Sequence, residues 1–278
     1  MTVDGKQISQ RILDNLKIKV GKLKKRGITP HLHIITLTTD SASQAYVSQK
    51  EKKGKEIGAK ITVENLSPNT KTDELLAKIE KLNNKSSIHG IIIQRPFSPK
   101  IEEKKVAEAI NPKKDVDGFH IYSDFSPPVG LSVIKILEDV YNLEEENLNF
   151  DGWLKSKKIS VIGRGVTAGR PIAKTFERIG ISPQVITSTN GNKEEILKNS
   201  DVVICAVGKP NVIKKDELKN GVILIGVGMF KDANGRFQSD YDEEEIRNIA
   251  SFYTPTPGGV GPVNVAMLLS NLVKAAEN

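Results

Sequence analysis

The sequence predicts an α/β fold in two domains, each a parallel sheet covered by helices. Two observations carry this. Short β-rich segments alternate with helical stretches along most of the 278 residues, the pattern of strand–helix–strand units. The alternation breaks once, at the polar stretch Asn142–Asn147, and then resumes, which marks a linker between two such sets.

In the first set Ile8, Ile12, Leu16, Val20 and Leu23 recur at helical spacing and predict a helix over 7–26. A strand at His31–Leu37, a helix over 41–57, a strand at Lys60–Glu64, a helix over 71–84, a strand at Ile88–Gln94 and a helix near 130–141 follow. The second set supplies strands at Ile159–Ile162, Gln184–Thr187, Val202–Val207 and Val222–Ile225. The last helix, Val263–Ala276, follows a Pro/Gly-rich turn at 255–262 and is too apolar to stand alone. It is expected to return to the first domain. The expected domains are therefore 1–140 plus 255–278, and 141–254.

Composition narrows the function classes. Lys and Arg number 41 against 34 Asp and Glu, a net charge of +7. Lys17, Lys19, Lys22, Lys24, Lys25 and Arg26 gather toward the end of the first helix, where cations complement the helix dipole. Elsewhere Lys and Glu interleave as on a solvated face, and 5% aromatic residues are too few for a base-stacking platform. Nucleic-acid binding is not expected; a small anionic substrate fits the charge. No apolar run approaches the roughly 18–20 residues of a membrane span, and Met1–Gly5 lacks signal-peptide features. A cytoplasmic protein with no membrane partner is expected. The one cysteine, Cys205, lies within a strand pattern. No His/Cys/carboxylate cluster has metal-ligand spacing, so no metal is expected, and His31, His33, His89 and His120 read as structural.

The strand Ile159–Ile162 runs into Gly163-Arg164-Gly165-Val166-Thr167-Ala168-Gly169, and a helix follows. This G-x-G-x-x-x-G is one residue longer than the dinucleotide fingerprint and sits in the same place, between a strand and a helix N-terminus. Glycines there let the backbone approach a pyrophosphate. The second domain is thus read as a Rossmann-like nucleotide-binding domain, with Gly163, Gly165 and Gly169 as cofactor-binding residues. An NAD site calls for an acidic residue about 20 positions on, but the next strand ends Ile186-Thr187-Ser188-Thr189-Asn190. Arg164 and Ser188 could instead hold a 2′-phosphate, which favours NADP.

Tyr46 and Lys50 stand at i and i+4 on the 41–57 helix, hence on one face. Three segments join them: Gly90-Ile91-Ile92-Ile93-Gln94-Arg95-Pro96 at a strand C-terminus, Lys114-Asp115-Val116-Asp117-Gly118-Phe119, and Pro257-Gly258-Gly259-Val260-Gly261-Pro262 followed by Val265-Ala266-Met267-Leu268-Leu269. Together, in this order and spacing, the chain resembles the bifunctional methylenetetrahydrofolate dehydrogenase/methenyltetrahydrofolate cyclohydrolase family over nearly its whole length.

The resemblance implies NADP-dependent oxidation of 5,10-methylene-tetrahydrofolate to the methenyl cation, then hydrolysis to 10-formyl-tetrahydrofolate. It implies that Lys50 is the central catalytic residue, that Gln94 holds it in position and that Tyr46 packs on the folate. Asp117 would bind the pterin, Gly258 and Gly259 would form a loop closing over the substrate, and the protein would be a homodimer. Four stretches depart from the family pattern. Arg95-Pro96-Phe97-Ser98 stands for Leu-Pro-Leu-Pro, Phe125-Ser126-Pro127-Pro128 for Pro-Cys-Thr-Pro, Gly165 for Ser, and Gly226-Val227-Gly228 for Asp-Val-Gly. The alternative reading is an NADP-dependent dehydrogenase of an amino acid or shikimate-like substrate.

Overall fold

The computed structural model describes residues 1–37, 40–98, 100–144, 148–188 and 191–278. In chain order the elements are α1 (Gly5–Lys25), β1 (His31–Thr36), α2 (Ser41–Glu56), β2 (Lys60–Asn65), α3 (Thr72–Asn83), β3 (Gly90–Ile93), α4 (Glu103–Ala109) and α5 (Pro128–Tyr141). There follow α6 (Phe150–Ser156), β4 (Ile159–Ile162), α7 (Gly169–Arg178), β5 (Gln184–Ile186), α8 (Lys193–Lys198), β6 (Val202–Cys205) and β7 (Ile223–Gly226). Last come β8 (Met229–Lys231), β9 (Phe237–Ser239), α9 (Glu243–Ile246), β10 (Phe252–Tyr253) and α10 (Val260–Glu277). These form two compact units: Gln10–Pro128 with Val265–Asn278, and Met1–Ser9 with Val129–Asn264.

The first unit is built on a parallel sheet of order β2-β1-β3. All six residues of the central strand β1 are buried, as expected of a parallel strand covered on both faces. On one face Leu32, Ile34 and Ile92 pack with Leu13, Leu16, Val20 and Leu23 of α1 and with Leu268, Leu269 and Leu272 of α10. On the other, Ile35, Ile91 and Ile93 pack with Leu75, Ile79 and Leu82 of α3. The histidines are internal bridges: His31 Nε2 lies 2.9 Å from Thr62 Oγ1 and His33 Nε2 3.0 Å from Glu64, while His89 Nδ1 accepts the His31 amide and His120 Nδ1 that of Tyr122.

The second unit holds a five-stranded parallel sheet of order β10-β7-β6-β4-β5, with β8 and β9 as a separate antiparallel hairpin. From β5 inward the strands run second, first, third, fourth, fifth along the chain, so the order reverses between β4 and β6. Doubly wound sheets bind ligands at that switch point, beyond the strand C-termini. Cys205 is fully buried in β6.

The units do not follow the expected bounds of 1–140 plus 255–278 and 141–254. Residues 1–9, 129–140 and 255–264 fall in the five-stranded unit. The N-terminus adds to the β10 edge, where the Val3 amide donates to Tyr253 O at 2.8 Å and the Tyr253 amide to Met1 O at 3.0 Å. At the start of α5, Gly130 lies against Thr175 of α7. In the stretch expected as a linker, Glu144 accepts the Trp153 indole N–H at 3.0 Å, and Trp153 is 1% exposed. Glu145, Glu146 and Asn147 lie outside the described residues.

Candidate active site

The site in the three-stranded unit begins on α2. An Asp40 carboxylate accepting the Ser43 amide at 2.8 Å caps the helix, and its buried face is Ser43, Val47, Lys50 and Gly54. Lys50 thus occupies a core position of an amphipathic helix, and it is 5% exposed. Its Nζ donates to Gln94 Oε1 at 2.9 Å and stands 5.0 Å from the centre of the Tyr46 ring. Gln94 follows β3, fixed by its amide on Ile35 O at 2.7 Å and by Nε2 donating to Arg95 O at 2.8 Å. With its nitrogen so engaged, the Gln94 side chain presents its oxygen to Lys50. Burial pushes the Lys50 amine below the ordinary lysine range, against the pull of the Asp117 carboxylate.

Asp117 lies in the loop after α4, which hangs on β3 through the Ile91 amide and Lys114 O at 2.9 Å. The Lys114 ammonium caps the end of α3, donating to Asn83 O and Lys85 O at 2.7 Å, and Asn271 of α10 donates to Val116 O and Ser126 O at 2.9 and 3.0 Å. Burial raises the Asp117 carboxyl, while Lys50 and then Arg95 draw it down. Asp115, 1% exposed, accepts the His120 amide at 2.7 Å, and desolvation lifts its carboxyl to about 6. Asp115, Arg95 and Asn271 were not singled out from the sequence as parts of the site. For Asp115 and Arg95 the available signal was a charged residue flanking a motif position.

The predicted cofactor residues lie in the five-stranded unit. Gly163 has φ +106°, and a Cβ there would come within 2.6 Å of Ala206 O, across the switch point at the end of β6. A Cβ at Gly169 would collide with Gly163 O. Both glycines are therefore needed for the turn to close, and Gly165, whose Cβ would meet nothing within 4 Å, is not. Arg164 and Ser188 are exposed; Thr189 and Asn190 lie outside the described residues. Beside the turn the amides of Val207, Gly208 and Lys209 donate to the Asp240 carboxylate at 2.6–3.0 Å, a bracing of the second loop of the crevice that the sequence did not announce. Gly258 and Gly259 belong to this unit as well, on a loop closed by the Gly259 amide and Pro255 O at 2.9 Å and packed against Gly5. The structure thus gathers Tyr46, Lys50, Gln94 and Asp117 in one unit, and the two loop glycines with the cofactor residues in the other.

Residues 3–117 match the sequence model of the tetrahydrofolate dehydrogenase/cyclohydrolase catalytic domain, and residues 140–278 that of its NAD(P)-binding domain. The chain belongs to this family. The bifunctional protein FolD of Campylobacter concisus is 38% identical over 284 residues, covering 99% of this chain and 97% of that protein. The crystal structure of the bifunctional enzyme FolD from Campylobacter jejuni superposes with a TM-score of 0.92 at 36% identity, covering 100% of this chain and 99% of that one. A Trypanosoma brucei dehydrogenase-cyclohydrolase, solved with NADP and an inhibitor, gives 0.88 at 28% identity, covering 100% and 97%.

The departures from the family pattern have local explanations. Serine would fit at Gly165, so glycine there removes a side chain without altering the turn. At Gly226 a Cβ would lie 2.8 Å from the Tyr241 hydroxyl, which donates to Thr254 O at 2.6 Å; a buried tyrosine fills the space of the usual Asp. Phe125 is buried in the core of the three-stranded unit.

Proposed function

We propose that this family member is a bifunctional folate enzyme, oxidising 5,10-methylene-tetrahydrofolate with NADP⁺ and hydrolysing the methenyl product to 10-formyl-tetrahydrofolate. The observation that carries the reading is the buried Lys50 amine, held 2.9 Å from Gln94 Oε1 and beside the Tyr46 ring. Its neutral form is favoured by burial, and a cationic substrate beside it would favour that form further.

In the hydrolytic step neutral Lys50 takes a proton from the water that adds to the methenyl carbon. The bond from that carbon to N5 then breaks, N5 receives the proton back from the lysine ammonium, and the hydroxyl proton is released as the formyl carbonyl forms on N10. Gln94 orients the amine by accepting one of its hydrogens. Tyr46 offers a ring face to the folate, and Asp117 accepts hydrogen bonds from pterin N–H groups. The unit Gln10–Pro128 with Val265–Asn278 is read as the folate-chemistry half, and Gly258 and Gly259 as the loop closing over substrate.

For the oxidation, the cofactor when bound supplies a hydride acceptor. The fit of the residues rests on the close approach of Gly163 and Gly169, which leaves the turn before α7 free of side chains where a pyrophosphate would approach the backbone. Arg164 and Ser188 are assigned to the 2′-phosphate, and no acidic side chain at Ser188 repels it. Family membership sets aside the amino-acid or shikimate-like alternative. The reading includes a cytoplasmic homodimer formed through the five-stranded unit, where β5 is an open edge strand with Val185 37% exposed; light scattering tests it. Among the described residues no helix is long and apolar enough to cross a membrane.

The test is a spectrophotometric assay with methylene-tetrahydrofolate that follows NADPH and the methenyl species separately, with NAD⁺ alongside. NADP⁺-dependent NADPH formation and enzyme-dependent methenyl decay are expected. Absence of both would overturn the reading.

A further inference from the structure

Asp240 follows β9 in the five-stranded unit, lies outside the predicted site residues, and is fully buried. Three backbone amides converge on its carboxylate: Oδ2 accepts that of Val207 at 3.0 Å, and Oδ1 those of Gly208 and Lys209 at 2.6 and 2.9 Å. Its own carbonyl accepts the Val212 amide at 2.8 Å. One residue thus holds both ends of the loop that follows β6. That loop carries two left-handed residues, Gly208 at φ +77° and Asn211 at φ +54°. A left-handed residue among successive amides turns their N–H groups to one side, which makes a cradle for an anion, and here the anion is a side chain of the same chain.

The braced loop lies against the glycine turn. A Cβ at Gly163 would come within 2.6 Å of Ala206 O and 3.4 Å of Val207 Cγ2, so Ala206 and Val207 form the wall that faces the turn across the switch point. On its other side the carboxylate is seated on Gly228, where a Cβ would lie 2.2 Å from Asp240 Oδ2 and 2.4 Å from the Gly208 nitrogen. Only glycine at 228 lets the carboxylate and the loop meet.

We propose that Asp240 is a positioning residue for the cofactor: it fixes residues 206–209 against the glycine turn, so that the crevice is formed before NADP⁺ arrives. The inference rests on the reading of that turn as the cofactor site. Ordering a loop at the moment of binding weakens affinity, and a loop ordered beforehand avoids that loss. The brace calls for a carboxylate in particular. Two oxygens with free lone pairs satisfy all three amides through charge-assisted bonds, whereas a side-chain amide offers one oxygen and turns an N–H toward at least one of them.

The test compares wild type with Asp240→Asn, which keeps the shape and removes one acceptor, and with Gly228→Ala, which disturbs the same contact from the other side. NADP⁺ binding is titrated by calorimetry, the KM for NADP⁺ is measured in the oxidation, and hydrolysis of 5,10-methenyl-tetrahydrofolate is followed without cofactor. Both variants should bind NADP⁺ about tenfold more weakly, as for a site that holds its binding arrangement about a tenth of the time. The KM should rise in parallel. Hydrolysis should stay within about twofold of wild type, because Lys50 lies in the other unit. Unchanged NADP⁺ affinity in both variants, or a loss of hydrolysis as large as the loss of NADP⁺ binding, would overturn the proposal.

Hydrogen exchange of wild type reads the brace with no variant at all, and it decides the matter should neither variant fold by circular dichroism. Without cofactor the amides of Val207, Gly208 and Lys209 should exchange at least about 10²-fold more slowly than in an unstructured chain, and NADP⁺ should add little. Protection that appears only when NADP⁺ is added would overturn the proposal, since the cofactor and not Asp240 would then order the loop. Wild type that fails to bind NADP⁺ at all would instead overturn the cofactor reading.

Discussion

The two aspartates of the Asp115-Val116-Asp117 motif are two residues apart and take different parts. Asp117, whose carboxyl burial raises while the Lys50 charge draws it down, is read as the pterin acceptor. Asp117→Ala should weaken folate binding by about 1–3 kcal/mol, the usual loss when a buried hydrogen-bond donor is left unpaired; an unaltered Kd in a calorimetric titration would reject that role. Asp115 holds the His120 amide and titrates at about 6 against an ordinary 3.8. A carboxyl raised in the folded state favours the native form while protonated. The stability it contributes is whole below the unfolded value and is lost as pH rises from about 4 to about 6, by about 3 kcal/mol. Asp115→Asn keeps an acceptor for the His120 amide and removes the titration. Its urea-unfolding stability should vary less than that of wild type across this window, and an unchanged slope would show that Asp115 does not carry the term. Lys50 itself was legible in the sequence because it stands four residues after Tyr46 on one helix face, among the motifs that carry the family resemblance. Asp115 and Arg95 were not, because nothing in a linear pattern says which flanking charge turns inward.

At the scale of elements, the glycine turn makes the sharpest claims. Gly163→Ala would force a side chain into a φ of +106° and toward Ala206 O. It should cost about 1–3 kcal/mol in thermal unfolding and weaken NADP⁺ binding, whereas Gly165→Ser should leave both within error. Equal effects would mean that the turn is not closed by this approach. Arg164→Ala should raise the KM for NADP⁺ by about 10- to 150-fold, the worth of a charge-assisted contact, and leave that for NAD⁺ nearly unchanged; equal losses would make Arg164 a general pyrophosphate or surface residue. The long elements were readable from hydrophobic period alone: α1 and α2 differ from the expected 7–26 and 41–57 by two residues or fewer at either end. The short ones were not. α6, α8 and α9 have seven, six and four residues, too few for a period to declare itself, and the hairpin β8–β9 pairs strands of three residues each.

For the whole molecule, the two-domain α/β architecture followed from the alternation of segments, but the division of the chain did not. Residues 1–9 join the five-stranded unit because Met1 and Val3 hydrogen-bond to Tyr253, a pairing across some 250 positions that local pattern does not report. Lys50 lies in the unit Gln10–Pro128 with Val265–Asn278, and the glycine turn in the unit Met1–Ser9 with Val129–Asn264. The most direct measurement is the hydrolysis of 5,10-methenyl-tetrahydrofolate by wild type and by Lys50→Met, with folate binding recorded for both. The substitution keeps the apolar stem and removes the titratable amine. Hydrolysis should fall more than about 10²-fold, the usual worth of a positioned acid/base, while folate still binds. Hydrolysis at the wild-type rate by Lys50→Met would contradict the account.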